Sequence, residues 1–181
     1  MIYIFLAEGF EECEALAPVD ILRRANIDVI TVGVGSKIIT GAHGISVNCD
    51  TINKDLKLEN LEGIILPGGM PGTVNLEKDD TVQSIIDYAW KNNLLISAIC
   101  AAPSILGHKN LLNGKKATCF PGFEKDLLGA EVCDMPVVKD GNVITAFGAG
   151  AAFDFGFEIL ATIKGKDFAD NLKKQMKYKS E

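Results

Sequence analysis

Histidine is nearly missing from this 181-residue chain, with only His43 and His108 present. Neither has a cysteine nearby at metal-ligand spacing, which argues against a structural zinc site and leaves no metal expected. The five cysteines, Cys13, Cys49, Cys100, Cys119 and Cys133, include no CxxC pair. Odd in number and scattered, they do not form a disulfide framework, and they suit a reducing cytoplasm. Blocks of like charge are missing as well. The densest basic stretch, Lys173 to Lys179, reads as a solvated helix face. A formal net charge of −6 repels phosphate backbones and argues against sequence-specific nucleic-acid binding. Long apolar runs are absent too. Met1 to Ala7 is hydrophobic but meets Glu8 and has no basic flank, too short for a secretory signal or a membrane span. The glycine spacing fits neither a dinucleotide fingerprint nor a P-loop.

What is present is an ordinary globular balance, 48% hydrophobic and 23% charged, in a length that suits one domain over residues 1–181. Short β-rich runs alternate with amphipathic segments of helical length. Ile2–Ala7 reads as a strand buried on both faces, followed by a helix carrying Ala15, Leu16, Val19 and Leu22, with Pro18 expected to kink it or shift its start. Asp28–Val34 completes a βαβ unit, which implies parallel strands and a right-handed crossover. Ile38–Cys49 predicts a hairpin or a pair of edge strands, Gly63–Leu66 a buried strand, and Val74–Asn92 one helix. Leu94–Ile99 is the next strand, turned into a helix by Cys100-Ala101-Ala102-Pro103. Further strands are expected in Ala117–Phe120, Glu131–Val138 and Asn142–Phe147, then helices over Ala152–Ile163 and Asp167–Lys177. The pattern is that of a doubly wound α/β sheet.

Ligands of such sheets collect at the carboxyl ends of the strands, where three features fall. Cys100 leaves a buried strand for a helix, the setting of a nucleophile elbow. There a helix dipole and free N–H groups are expected to lower its pKa. The competing reading is a small buried hydrophobe, and the other four cysteines are assigned to it. Gly68-Gly69 offers N–H groups that could cradle an oxyanion, with the Ala101 N–H as a second donor, although a Gly-Gly pair also makes a plain turn. Glu11, Glu12 and Glu14 read as a solvated helix start. A carboxyl packed beside Cys100 would instead be desolvated and hold its proton, and the pattern does not choose among the three. His43 could overhang a pocket, and His108 is expected to be exposed. No complete triad is legible.

Together these segments carry a resemblance. Leu6-Ala7-Glu8-Gly9-Phe10-Glu11-Glu12-Cys13-Glu14, Leu66-Pro67-Gly68-Gly69 and Ala98-Ile99-Cys100-Ala101-Ala102-Pro103 resemble the signature segments of the DJ-1/ThiJ/PfpI superfamily, in its DJ-1/ThiJ branch. They stand in matching order, and the likeness runs from Ile2 to at least Lys164. The resemblance implies a flavodoxin-like three-layer sandwich, a homodimer, Cys100 as nucleophile and Glu14 as a protonated carboxyl. It also implies an anion site at Gly68, Gly69 and Ala101. The family's pocket histidine and arginine align with Phe120 and Phe147, His43 replaces a second arginine, and Arg24 matches a cation reaching in from the partner subunit. The pocket is therefore expected to be less cationic and more aromatic.

The activities implied are cofactor-independent. One is conversion of small α-oxoaldehydes to hydroxy acids, of glyoxalase III type, and another is deglycation of adducts. The alternative is a redox-sensing, protective protein whose Cys100 is oxidised to the sulfinate, with little turnover. Ala101 stands where the protease-like branch has histidine, so peptidase activity is not expected. A class I amidotransferase-like domain would need a late His-x-Glu pair, and no histidine follows His108. For the dimer, Leu16, Val19 and Leu22 are the expected apolar face, beside an edge in Ile38–Val47.

Overall fold

The computed structural model describes residues 1–178. In chain order it contains β1 (Ile2–Leu6), α1 (Glu12–Arg24), β2 (Val29–Gly33), β3 (Ile38–Thr40), β4 (Ser46–Asn48), β5 (Thr51–Ile52) and β6 (Gly63–Leu66). Then follow α2 (Gly72–Lys78), α3 (Asp80–Lys91), β7 (Leu95–Ile99), α4 (Pro103–His108), β8 (Lys116–Ala117) and β9 (Glu131–Val132). The last elements are β10 (Val137–Asp140), β11 (Val143–Ala146), α5 (Ala152–Lys164) and α6 (Lys166–Gln175). Seven strands form one sheet in the order β10-β11-β7-β6-β1-β2-β5. Every pairing in it is parallel except β10 with β11.

The apolar run of β1 shows why the sheet is covered on both faces. Ile2, Ile4 and Leu6 point into a core shared with α1, α5 and α6. Tyr3 and Phe5 point into a second core with Val82, Ile85 and Ile86 of α3 and Ile105 and Leu106 of α4. A strand with period-two side chains and no polar face must be enclosed in this way. The result is the flavodoxin-like α/β sandwich expected from the sequence.

Three expectations are corrected. The helix predicted over Val74–Asn92 is two helices, because Asp79 takes an extended conformation (ψ 114°) and its side chain accepts the Val82 N–H at 2.9 Å. Such an N-cap starts a new helix instead of continuing the old one. Pro18 does not shift the start of α1. It lies inside the helix, where Gly156 of α5 leaves room: a Cβ there would come 3.1 Å from the Pro18 Cα. Val19 and Leu22 do not form an outer face, since both are buried within the chain, and only Leu16 of that trio remains partly accessible. No helix among the described residues is long and apolar enough to cross a membrane. The part of the basic stretch beyond Tyr178 lies outside the described residues.

Candidate active site

β1, β6, β7 and β11 end on one rim of the sheet, and the segments that leave them meet there. Cys100 is the first residue past β7 and has φ +66°, a left-handed conformation that non-glycine residues seldom adopt. Two hydrogen bonds fix it. Its N–H donates to the Ala146 carbonyl at 2.9 Å, and its carbonyl accepts the Phe120 N–H at 2.8 Å. The side chain is thereby turned off the strand's direction toward Gly68, Gly69 and Glu14.

Glu14 is the carboxyl of this site. It is 1% exposed, and its Oε2 accepts the Gly68 N–H at 2.9 Å. Burial pushes its pKa up to about 7; the hydrogen bond with Cys100 opposes that shift, and Glu11 adds to it. The structure thus separates three glutamates that the local pattern left equivalent and of which the resemblance implied Glu14. Glu11 caps α1 by accepting the Glu14 N–H at 2.7 Å. Glu12 is buried and accepts both the N–H and the Nδ1 of His43 at 2.7 Å, tying the hairpin turn to the helix. Burial would raise Glu12, but the His43 hydrogen bonds hold it below its ordinary value.

The thiol departs from expectation. Burial first, then the Glu14 carboxylate, push Cys100 up to about 12, while N–H groups of Gly69 and Ala101 pull it down. Two features defeat the expected depression. The helix that follows has only six residues and begins at Pro103, three positions on. The nearest ionisable partner is an acid, not a cation. Burial also pushes Cys49 and Cys119 up, to about 11. What distinguishes Cys100 is therefore its two backbone donors and a carboxyl that titrates with it as a pair.

Gly68 is where the two side chains are allowed to meet. A Cβ there would lie 2.6 Å from both the Cys100 Cβ and the Glu14 Oε2. Gly68→Ala is expected to destabilise the fold by roughly 1–3 kcal/mol through overpacking, read as a lower midpoint in urea. An unchanged midpoint would mean that the pair has room to part. Gly69 has φ +91°, and a Cβ there would come within 2.5 Å of the Glu11 nitrogen and the Gly9 carbonyl, so only glycine fits beside the sulfur.

The remaining expected residues fall at different distances from this centre. Phe120 borders it, bound to Cys100 through the backbone, with its ring against Gly148 and 47% exposed. His43 is held by Glu12 at the hairpin turn, and that bond raises its pKa. Neither histidine ring is hydrogen-bonded to Cys100: His108 is paired with Glu77 at 2.5 Å. Arg24 is not in its own chain's pocket. It lies ten residues beyond Glu14, about 15 Å along α1 at 1.5 Å per residue, and pairs with Asp20 at 2.7 Å. Among the described residues one group has metal-ligand spacing, Glu11, Glu12 and His43, with ligand atoms within 4.8 Å of one another. The Glu12 and His43 atoms in it already bond each other. The Glu12–His43 tie was not anticipated, because 31 residues separate the two and no local pattern joins them.

A mostly parallel α/β sandwich with a cysteine on a left-handed turn, beside a buried carboxyl and backbone N–H groups, is the class of protein that the fold and the candidate site define. The chain belongs to the DJ-1/PfpI family, whose sequence model matches residues 1–162. It is 32% identical over 167 residues to Protein dj-1beta of Drosophila melanogaster, covering 91% of this chain and 89% of that one. It is 30% identical over 171 residues to a protein of Caenorhabditis elegans named glutathione-independent glyoxalase DJR-1.2, covering 93% and 91%. Among solved structures, an alanine-for-cysteine mutant of a DJ-1 superfamily protein from Salmonella typhimurium superposes with a TM-score of 0.94 at 31% identity, covering 99% of this chain and 98% of that one.

Proposed function

We propose that this protein converts small α-oxoaldehydes to 2-hydroxy acids at Cys100, with Glu14 as proton relay and without a cofactor. The observation that carries the reading is the Cys100–Glu14 pair, brought together across Gly68, where a Cβ would lie 2.6 Å from both side chains, under the Gly69 and Ala101 donors. A C. elegans relative bearing a glyoxalase name supports it. As the Cys100 sulfur bonds the aldehyde carbon, its proton passes to the Glu14 carboxylate, so a high thiol pKa is no obstacle. The carbonyl electrons move to oxygen, and the Gly69 and Ala101 N–H groups would stabilise that charge. Glu14 gives that proton to the new oxyanion and, as a carboxylate again, carries a proton from the first carbon to the second. With the hydroxyl proton passing from the first oxygen to the second, the product is a thioester of the hydroxy acid. Water cleaves it, so that aldehyde plus water equals hydroxy acid. Glycated adducts that release an α-oxoaldehyde would enter the same sequence. Phe120 and His43 would border the substrate.

The second reading is redox protection. A sulfinate at Cys100 would accept hydrogen bonds from Gly69, Ala101 and a protonated Glu14, a donor set that the geometry supports. Methylglyoxal, glyoxal and hydrogen peroxide, each given to the wild type and to Cys100→Ser, separate the two by product and intact mass. Cys100-dependent hydroxy acid supports the first. A mass gain of two oxygens with no hydroxy acid supports the second.

A homodimer is also proposed, in a reducing compartment that keeps the five free cysteines reduced. Leu16, Ala17, Ile45 and Phe153 line an apolar hollow between α1, the hairpin and α5, with Ile45 54% and Phe153 44% exposed. Burying it against a second copy would cover both patches at once, and would carry Arg24 toward the partner's site. Sedimentation at low micromolar concentration is expected to give twice 19.4 kDa. A fully active monomer would overturn the dimer and the shared site together.

A further inference from the structure

The rim around Cys100 is short of positive charge. The segments that leave β1, β6, β7 and β11, residues 7–14, 67–73, 100–103 and 147–153, contain no lysine or arginine. Neither do the hairpin turn 41–45, hydrogen-bonded to Phe10 through Ala42, and the stretch 118–124, bonded to Cys100 through Phe120. These same segments carry Glu8, Glu11, Glu12, Glu14 and Glu124. Their one imidazole, His43, is bonded to Glu12. Arg24, if a second copy supplied it, would arrive already paired with Asp20.

In place of cations the rim presents apolar groups. Phe120 and Met70 are each 47% exposed, the first anchored on the Cys100 carbonyl and the second next to Gly69. Phe147 follows Ala146, whose carbonyl holds the Cys100 N–H, and packs half-buried against the same core as Cys100. Beside Phe147 lies a cavity of about 350 Å³ lined also by Thr118, Pro121 and Val132, and its charged lining groups are Glu124 and Asp134.

We infer that the site selects its substrate by the substituent: it takes α-oxoaldehydes carrying an uncharged aryl or branched alkyl group and rejects carboxylated ones, with Phe120 setting the preference. This rests on the aldehyde chemistry proposed above at Cys100. A half-exposed ring gains most when an apolar group covers it, and a second ring adds edge or offset contact. The methyl group of methylglyoxal is too small to cover Phe120. A carboxylate brought to the same place would lose water among like charges with no cation to receive it.

The test has two arms on the full chain. In the first, kcat/KM is measured for phenylglyoxal, methylglyoxal and 4-carboxyphenylglyoxal. Phenylglyoxal is expected to exceed each of the other two by about tenfold or more, the scale of discrimination by an apolar site. Phe120→Ala is expected to shrink the phenyl-to-methyl ratio by about fivefold or more, and Phe120→Arg to raise the carboxylated compound relative to phenylglyoxal. A preference for methylglyoxal, or ratios unmoved by both variants, overturns the inference. The second arm needs no turnover: Cys100 alkylation by iodoacetamide and by iodoacetate, as a ratio, against 2-mercaptoethanol. The ratio is expected to be about tenfold higher on the protein at low salt and to fall as salt screens the rim. Should no aldehyde turn over through Cys100, the proposed activity falls while this arm still decides charge selection. A ratio equal to that of the free thiol overturns it.

Discussion

Cys100→Ser is expected to lower methylglyoxal turnover by about a thousandfold or more, the usual cost of losing a nucleophile that works with its partners as one unit. A serine hydroxyl would keep the contact with Glu14 and the Gly69 and Ala101 donors, so the fold and the carboxyl's environment stay in place. What disappears is the thiol's nucleophilicity and the thioester that carries the product. The check is lactate formation together with intact mass: the wild type should trap a covalent adduct with substrate and the variant should not. Cys49 and Cys119, both buried, remain in the variant as internal controls. Turnover retained within tenfold would remove Cys100 from the reaction altogether.

Glu14→Gln is expected to act on both rate and stability, in opposite directions. Turnover should fall by about 10²- to 10⁴-fold, because an amide can hydrogen-bond sulfur but cannot accept its proton. The wild type should also show a rise in kcat/KM around pH 7 as the Glu14 carboxylate becomes available, a limb missing from the variant. Stability follows from the same shift. Glu14 titrates near 4.5 when unfolded and near 7 when folded. Below pH 4.5 both states hold the proton and burial carries no ionisation cost. Between 4.5 and 7 only the folded state holds it, so the wild type loses stability as pH rises. Above 7 the loss is complete, at up to about 3 kcal/mol for a shift of this size. Glutamine does not titrate, so urea midpoints of the two proteins should diverge across that window in favour of the variant. Parallel midpoints from pH 4.5 to 7.5 would place the titration elsewhere.

The layered fold and the place of the candidate site on it were legible in the chain itself. Five consecutive apolar residues in β1 fit a strand covered on both faces, and the strand–helix alternation leaves few topologies other than a parallel sheet. Such a sheet puts the residues after β1, β6 and β7 on one rim, so Glu11 to Glu14, Gly68-Gly69 and Cys100 had to be neighbours of some kind. The local pattern did not choose among the three glutamates; the family resemblance implied Glu14, and the tertiary structure supplies the physical reason that it is the one beside the sulfur. Turning at 100° per residue, α1 presents Glu14 to the core, uses Glu12 to hold His43, and leaves Glu11 to cap its first turn. It also decided the electrostatics. A pattern of strand, small residues and helix suggests a dipole that lowers a thiol pKa. Whether it does so depends on how far the sulfur is from the helix and what it touches instead. Here the helix starts three residues late and the contact is a buried acid, so desolvation and like charge prevail.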